Sequence, residues 1–253
     1  MTRLVVLAPH PDDETLGCGL LLATHPDPAA LHIVFVSDGA GRIGGREAVA
    51  AERAAEARAA AAVYGIREDH LHFLGFPDGQ LTQNAAEIRR TVCNLLNGLG
   101  SVQVHAPFRY DQHPDHLAVN RVASSLVDTG ELQADLYEYF VYARSRLVPG
   151  GDVRKLINPA NVMRIEPEEE AAAKRLRAIE CHRSQVTAAN RSIQAVLTQE
   201  LIDRWSREDE LHLRYEPSSR ASRVLMSGRA WVPVATRVEP VLKRWSDRVR
   251  GRR

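Results

Sequence analysis

From the amino terminus to residue 142, apolar runs of four to seven residues alternate with stretches of helical period. This pattern predicts buried parallel strands joined by crossover helices. Strands are expected near 4–8, 31–37, 71–74, 102–106 and 136–142, and helices near 15–24, 46–64, 84–96 and 116–127. Residues 48–62 are alanine-rich, yet arginine and glutamate recur there at helical spacing and Gly65 supplies a stop, so the segment reads as a helix and not a linker. The expected fold is a Rossmann-like α/β domain with a mostly parallel sheet and helices on both faces. Beyond 142 the alternation weakens. Pro149-Gly150-Gly151 marks a loop, and Pro167 followed by Glu168, Glu169 and Glu170 opens a helix whose acidic first turn and later Lys174, Arg175 and Arg177 suit its dipole. No repeat or linker divides the chain. It is read as one domain over 1–253, a core of 1–142 with an appendage of 143–253 that packs on the sheet; from Glu208 onward the pattern does not separate strands from short helices.

Composition narrows the functional classes. With 253 residues, 44% hydrophobic and 26% charged, the chain can bury one large core, which excludes a disordered or fibrous protein. Lys and Arg number 33 against 32 Asp and Glu, a net charge of +1 that supplies no field for gathering nucleic acid or a membrane surface. No stretch approaches the roughly 18 apolar residues of a membrane span, and no signal-peptide core precedes the first strand, so a soluble cytoplasmic protein is expected. A homo-oligomer is compatible with the sequence. Cys18, Cys93 and Cys181 are odd in number and widely spaced, which excludes a disulfide framework and a CxxC pair; they read as small buried apolar residues. The basic segment from Lys243 reads as a solvated terminus.

Chemistry concentrates at two places. Pro9-His10-Pro11-Asp12-Asp13-Glu14 follows the first strand and precedes a helix, and His113-Pro114-Asp115-His116 follows the fourth strand in the same way. Ligands of open α/β sheets collect at the carboxyl ends of strands, where both motifs emerge. Two imidazoles and a carboxylate make a catalytic zinc site with a position left for water, and the same set suits ferrous iron. An Asp before a helix can be only a cap, and His-Pro-Asp only a turn. The chain carries its own control: His25-Pro26-Asp27 has the same tripeptide at the opposite edge of the sheet, where it reads as a turn. Of two adjacent carboxylates leaving a tight turn, one can point at a metal while its neighbour takes a proton from water. His113 and His116, three apart where a helix begins, face one side.

The paired motifs resemble those of the LmbE-like, or PIG-L, family of zinc-dependent N-acetylglucosaminyl deacetylases. Further matches follow in order: Ser37-Asp38-Gly39, Arg53 with Glu56, Pro77-Asp78-Gly79, and His182-Arg183-Ser184-Gln185 behind a helix bearing Lys174. The resemblance covers roughly 3–185. It implies a zinc hydrolase that removes the N-acetyl group from an amino sugar or glycoconjugate, a small-molecule substrate. It further implies His10, Asp13 and His116 as metal ligands, Asp12 as general base and His113 as the residue that stabilises the oxyanion. Arg53 and Asp78 match positions that hold substrate hydroxyls, Glu14 and Asp115 would support the site from behind, with Asp115 orienting His113, and Asp38 would shape the rim. His182 alternatively reads as a helix C-terminal cation meeting the dipole.

Competing motifs fail. Leu22 takes the third glycine position after Gly17-Cys18-Gly19, so no dinucleotide fingerprint is present; the glycines of 39–45 precede no Gly-Lys-Ser/Thr; no Gly-x-Ser-x-Gly occurs. The alternatives are a zinc amidase acting on another amide such as a thiol-sugar conjugate, a non-catalytic sugar-binding module, and an iron(II) oxygenase, whose usual β-rich setting this pattern lacks. With aromatics at 6%, no stacking platform is evident; Trp205, Trp231 and Trp245 are the candidates.

Overall fold

A computed structural model describes residues 2–41, 45–141, 161–186, 202–203 and 207–216. The chain builds β1 (Arg3–Ala8), α1 (Asp13–Thr24), β2 (Leu31–Ser37), α2 (Arg46–Val63), β3 (Leu71–Phe76), α3 (Ala85–Leu99), β4 (Val102–Pro107), α4 (Pro114–Asp128) and β5 (Ala134–Tyr139). These are followed by β6 (Val162–Ile165), α5 (Glu169–Cys181), α6 (Arg183–Val186) and β7 (Glu210–Arg214). The sheet has seven strands in the order β3-β2-β1-β4-β5-β7-β6. The first five are mutually parallel, and β7 pairs antiparallel with both β5 and β6. Strand order therefore reverses between β1 and β4, the switch point at which ligands settle in this architecture.

Period-two alternation assigns each strand two buried faces. Leu4, Val6 and Ala8 join Leu31, Ile33 and Phe35 under α1, α2 and α5, whereas Val5 and Leu7 join Val34, Val36 and Val104 under α3 and α4. The glycines of Gly17-Cys18-Gly19 serve packing. A Cβ on Gly17 would stand 2.1 Å from the Tyr139 ring, and one on Gly19 would stand 2.5 Å from the Arg175 side chain. Tyr139 then reaches across to donate its hydroxyl to the Leu7 carbonyl at 2.9 Å.

The core matches the pattern-based reading, with α1 and α4 each starting two residues earlier than expected. That shift places Asp13, Glu14 and Asp115 in first turns, where carboxylates suit the helix dipole. The strand expected over 136–142 is β5, shifted to Ala134–Tyr139. The larger correction concerns the appendage: β6 and β7 are strands of the sheet itself. Both are short, four and five residues, too few to display a clear periodicity, with β6 at the sheet edge and β7 just inside it. Of the cysteines, Cys18 is buried while Cys93 and Cys181 are partly exposed. The loop at 149–151, the three tryptophans and the basic terminus lie outside the described residues. Among the described residues, no helix is long and apolar enough to cross a membrane.

Candidate metal centre and active site

The chain leaves β1 through Pro9 and turns sharply at Asp12, whose φ of 146° is the one positive value at a non-glycine residue among those described. Such a conformation costs on the order of 1–3 kcal/mol and persists where surrounding contacts enforce it. The turn brings His10 over the start of α1, where its backbone N–H donates to Asp13 Oδ2 at 2.9 Å. That same oxygen lies 3.1 Å from His10 Nδ1 and 3.2 Å from His116 Nε2. Burial opposes the charge on Asp13, but the two imidazoles outweigh it and hold the carboxyl well below its usual range.

His113 and His116 arrive from β4. His113 caps α4: its Nδ1 accepts the Asp115 backbone N–H at 3.2 Å, so a neutral His113 carries its proton on Nε2. Burial, then the neighbouring imidazoles, lower its pKa and favour that neutral form. The three rings stand 4.8 to 5.5 Å apart between centroids. Carboxylates face the outer nitrogens of the other two. Asp111 Oδ2 is 3.3 Å from His116 Nδ1, and His10 Nε2 is 3.2 Å from both Asp78 Oδ1 and Asp115 Oδ2.

These residues fit a divalent metal. Donor atoms on a tetrahedral ion with 2.0–2.1 Å bonds sit about 3.3 Å apart, close to the spacings around Asp13 Oδ2, and metal-bound histidines characteristically present their other nitrogen to a carboxylate. The two-nitrogen, one-oxygen set suits zinc or ferrous iron alike.

Asp12 faces the other way. Its carboxylate is 3.0 Å from an Arg53 guanidinium nitrogen, and burial, partly offset by Arg53, pushes its pKa up to about 6. Its backbone N–H donates to Glu14 Oε2 at 2.9 Å, while Glu14 Oε1 accepts from Thr15 Oγ1 and meets His182 Nε2, both at 3.0 Å.

Two side chains take partners that the sequence did not show. Asp115 does not orient His113 with its carboxylate. That group accepts from Gly79 N at 2.7 Å and Leu81 N at 3.1 Å and lies against His10, since the start of α4 aims it back across the strand ends. Arg53 is buried with its terminal nitrogens on the Gly39 and Pro11 carbonyls and on Asp12, so its guanidinium is turned toward the Asp12 turn. Gly39 permits this grip, because a Cβ there would press on Pro11 Cδ at 2.8 Å and on Arg53. Asp78 stays more open, with Oδ2 accepting Gly41 N at 3.0 Å, and Asp38 holds the rim through Ala40 N, Asp78 N and Arg46. Asp111 and the contact of His182 with Glu14 went unread in the sequence. Only the Asp-x-His spacing ahead of His113 signalled the first, and nothing local signalled the second.

A separate buried group, Cys18, His105 and His212, also brings ligand atoms together. Hydrogen bonds account for it as a relay in which Gln103 meets His105 Nε2 at 2.8 Å, His105 Nδ1 meets His212 Nδ1 at 2.9 Å, and His212 Nε2 meets Glu210 at 2.8 Å.

Fold and site together define a Rossmann-like α/β protein with a candidate metal centre at its topological switch point. The family model described as PIG-L, GlcNAc-PI de-N-acetylase, matches residues 5–127 of the chain. No curated protein matches the chain. Among solved structures it resembles the conserved protein TT1542 from Thermus thermophilus, at 26% identity and a TM-score of 0.59, over 86% of this chain and 96% of that one. It also resembles a deacetylase triple mutant of the teicoplanin biosynthetic pathway, at 19% identity and a TM-score of 0.64, over 86% and 99%. The N,N'-diacetylchitobiose deacetylase from Pyrococcus horikoshii is similar at 18% identity and a TM-score of 0.60, over 85% and 84%. The last two likenesses establish shared fold.

Proposed function

We propose that this chain is a zinc-dependent hydrolase that removes the N-acetyl group from an N-acetylated amino sugar or its glycoconjugate. The observation that carries the reading is Asp13 Oδ2 lying between His10 Nδ1 and His116 Nε2 with the Asp12 carboxylate next along the turn. His10, Asp13 and His116 hold the metal, with Asp111 and Asp115 supporting the two histidines. A bound zinc supplies Lewis acidity toward a carbonyl and toward water. Asp12 accepts the proton of the attacking water as its oxygen bonds to the acetyl carbon. Its raised pKa suits both taking that proton and later giving it to the departing nitrogen. The Nε2–H of neutral His113 donates to the carbonyl oxygen as negative charge grows there. The C–N bond then breaks, leaving acetate and a free amine. Arg53 fixes Asp12, and Asp78, the more open group, meets a sugar hydroxyl. The match of residues 5–127 to the PIG-L family model and the deacetylases among the similar structures support this choice of reaction.

The test is acetate release by zinc-loaded protein from N-acetylglucosamine, N-acetylglucosaminides and a simple acetamide. Turnover of the sugars above the acetamide is expected. Turnover of the acetamide alone would replace the amino sugar by another amide, and metal-loaded protein that binds sugars without releasing acetate would make the chain a binding module.

A further inference from the structure

We propose that His182 is a positioning residue that holds Asp12 in its strained conformation through Glu14; the inference rests on reading Asp12 as the proton acceptor. The side chain that holds the Asp12 N–H is Glu14, whose Oε2 takes it at 2.9 Å, while the Asp12 carbonyl accepts from Thr15 and Leu16 N at 3.1 and 3.0 Å. A carboxylate can keep that aim only if its second oxygen is tied as well. Thr15 Oγ1 donates to Oε1 at 3.0 Å, but Thr15 belongs to the same turn and moves with it. His182, 168 residues away in sequence, ties the turn to the rest of the molecule at 3.0 Å. A carboxylate oxygen only accepts, so His182 carries its proton on Nε2. Both side chains are buried. The other ring nitrogen, Nδ1, is also buried and has no hydrogen-bond partner among the described residues. The imidazole is thus kept for one polar contact, with the cost of a buried, unsatisfied nitrogen beside it.

His182 is itself anchored. It ends α5 with its N–H on the Ile179 carbonyl at 3.0 Å, and its own carbonyl accepts from Gln185 and Val186 at 2.9 and 3.1 Å to open α6. Glu56 on α2 grips the same short helix through Ser184 N at 2.7 Å and Ser184 Oγ at 2.6 Å. One turn earlier on α2, Arg53 grips Pro11, Gly39 and Asp12. Helix α2 therefore braces both ends of the line Asp12–Glu14–His182, which gives the sequence pair Arg53 and Glu56 a single job.

The experiment compares His182→Ala and His182→Gln in the wild-type and Asp12→Asn backgrounds, using zinc-loaded protein. Glutamine keeps a donor near the place of Nε2; alanine does not. Because small misplacements of a reacting group are costly, His182→Ala should lower kcat at least ~10-fold with KM within about 3-fold and zinc content unchanged, and His182→Gln should recover most of the loss. In the Asp12→Asn background His182→Ala should cost nothing further, the mark of one residue acting through another. The Asp12 amide proton, read by NMR with or without zinc, should move upfield in His182→Ala and return in His182→Gln. Wild-type kcat in His182→Ala, an equal fall in both backgrounds, or an unmoved Asp12 amide would overturn the proposal. Should His182→Ala not fold, His182→Asn replaces it, because its amide reaches only the place of Nδ1; equal activity of the Asn and Gln variants would overturn the proposal too. If Asp12→Asn alone turned over like wild type, the reading of Asp12 would fail separately, and the amide shift would still decide the brace.

Discussion

His25-Pro26-Asp27 and His113-Pro114-Asp115 share a tripeptide and a local geometry. In each, the histidine Nδ1 accepts the backbone N–H of the aspartate two residues on, at 3.2 Å. They part at the carboxylate. The Asp27 carboxylate accepts the nearby Ala29 N–H at 3.0 Å, capping the short turn Pro28–Ala30 that leads into β2. Asp115, at the carboxyl end of β4, takes two N–H groups from the loop after β3 and stands against His10 from β1. The tripeptide supplies a helix cap; the strand end decides whether the cap also becomes part of a site. The third copy, His10-Pro11-Asp12, gives up the cap geometry altogether and spends backbone strain to part the Asp12 and Asp13 carboxylates.

Equivalent changes in the three copies should therefore have very unequal effects. Asp12→Asn, nearly isosteric but unable to accept a proton, should lower kcat at least ~100-fold in zinc-replete protein, while Asp27→Asn leaves kcat unchanged. Steady-state acetate release reads both, and an active Asp12→Asn would return Asp12 to the status of Asp27. Arg53→Ala should cost at least ~10-fold in kcat on the sugar and on a simple acetamide alike, because its nitrogens are engaged with Asp12 and its turn. A loss confined to the sugar substrate would restore the hydroxyl contact that the sequence suggested.

Most of this site was legible because its residues cluster in sequence: His10, Asp12, Asp13 and Glu14 occupy one turn, and His113, Asp115 and His116 another. The five parallel strands were legible for a related reason, since burial on both faces makes β1 over 4–8 and β2 over 33–36 short continuous apolar runs. What escaped notice depends on distance. His182 meets Glu14 from the end of a helix 168 residues away, and no local pattern marks that partner. Strands β6 and β7 escaped because short strands at the rim of the sheet carry too few residues for a periodicity. Arg53 was placed at the site by resemblance, but which way its guanidinium points depends on Gly39 admitting it, a packing fact absent from any motif.

Smaller effects sharpen the same contrast. Asp27→Ala removes one cap and should lower stability by about 1 kcal/mol, as typical for such caps, with zinc content and kcat intact; denaturant unfolding measures it. Histidines at the other ends of the strands should behave as pure packing groups. His32, at the start of β2, stacks on His70 at 4.1 Å and on His72 at 5.6 Å. Burial, then His70, His72 and Arg3, push its pKa down to about 4 against a weaker pull from Asp69. A histidine with a lowered folded pKa stabilises fully above its unfolded value near 6.5, and that contribution is lost as pH falls toward 4. Wild type should therefore lose more stability than His32→Gln between pH 7 and pH 5, whereas parallel losses would remove His32 from the account.

The central claim, that one metal sits between the ends of β1 and β4, is tested most directly by elemental analysis of dialysed protein after zinc loading. One equivalent is expected in wild type and in His25→Ala, and none in His10→Ala/His116→Ala, since a lone carboxylate does not hold zinc tightly. Full zinc occupancy in that double variant would contradict it.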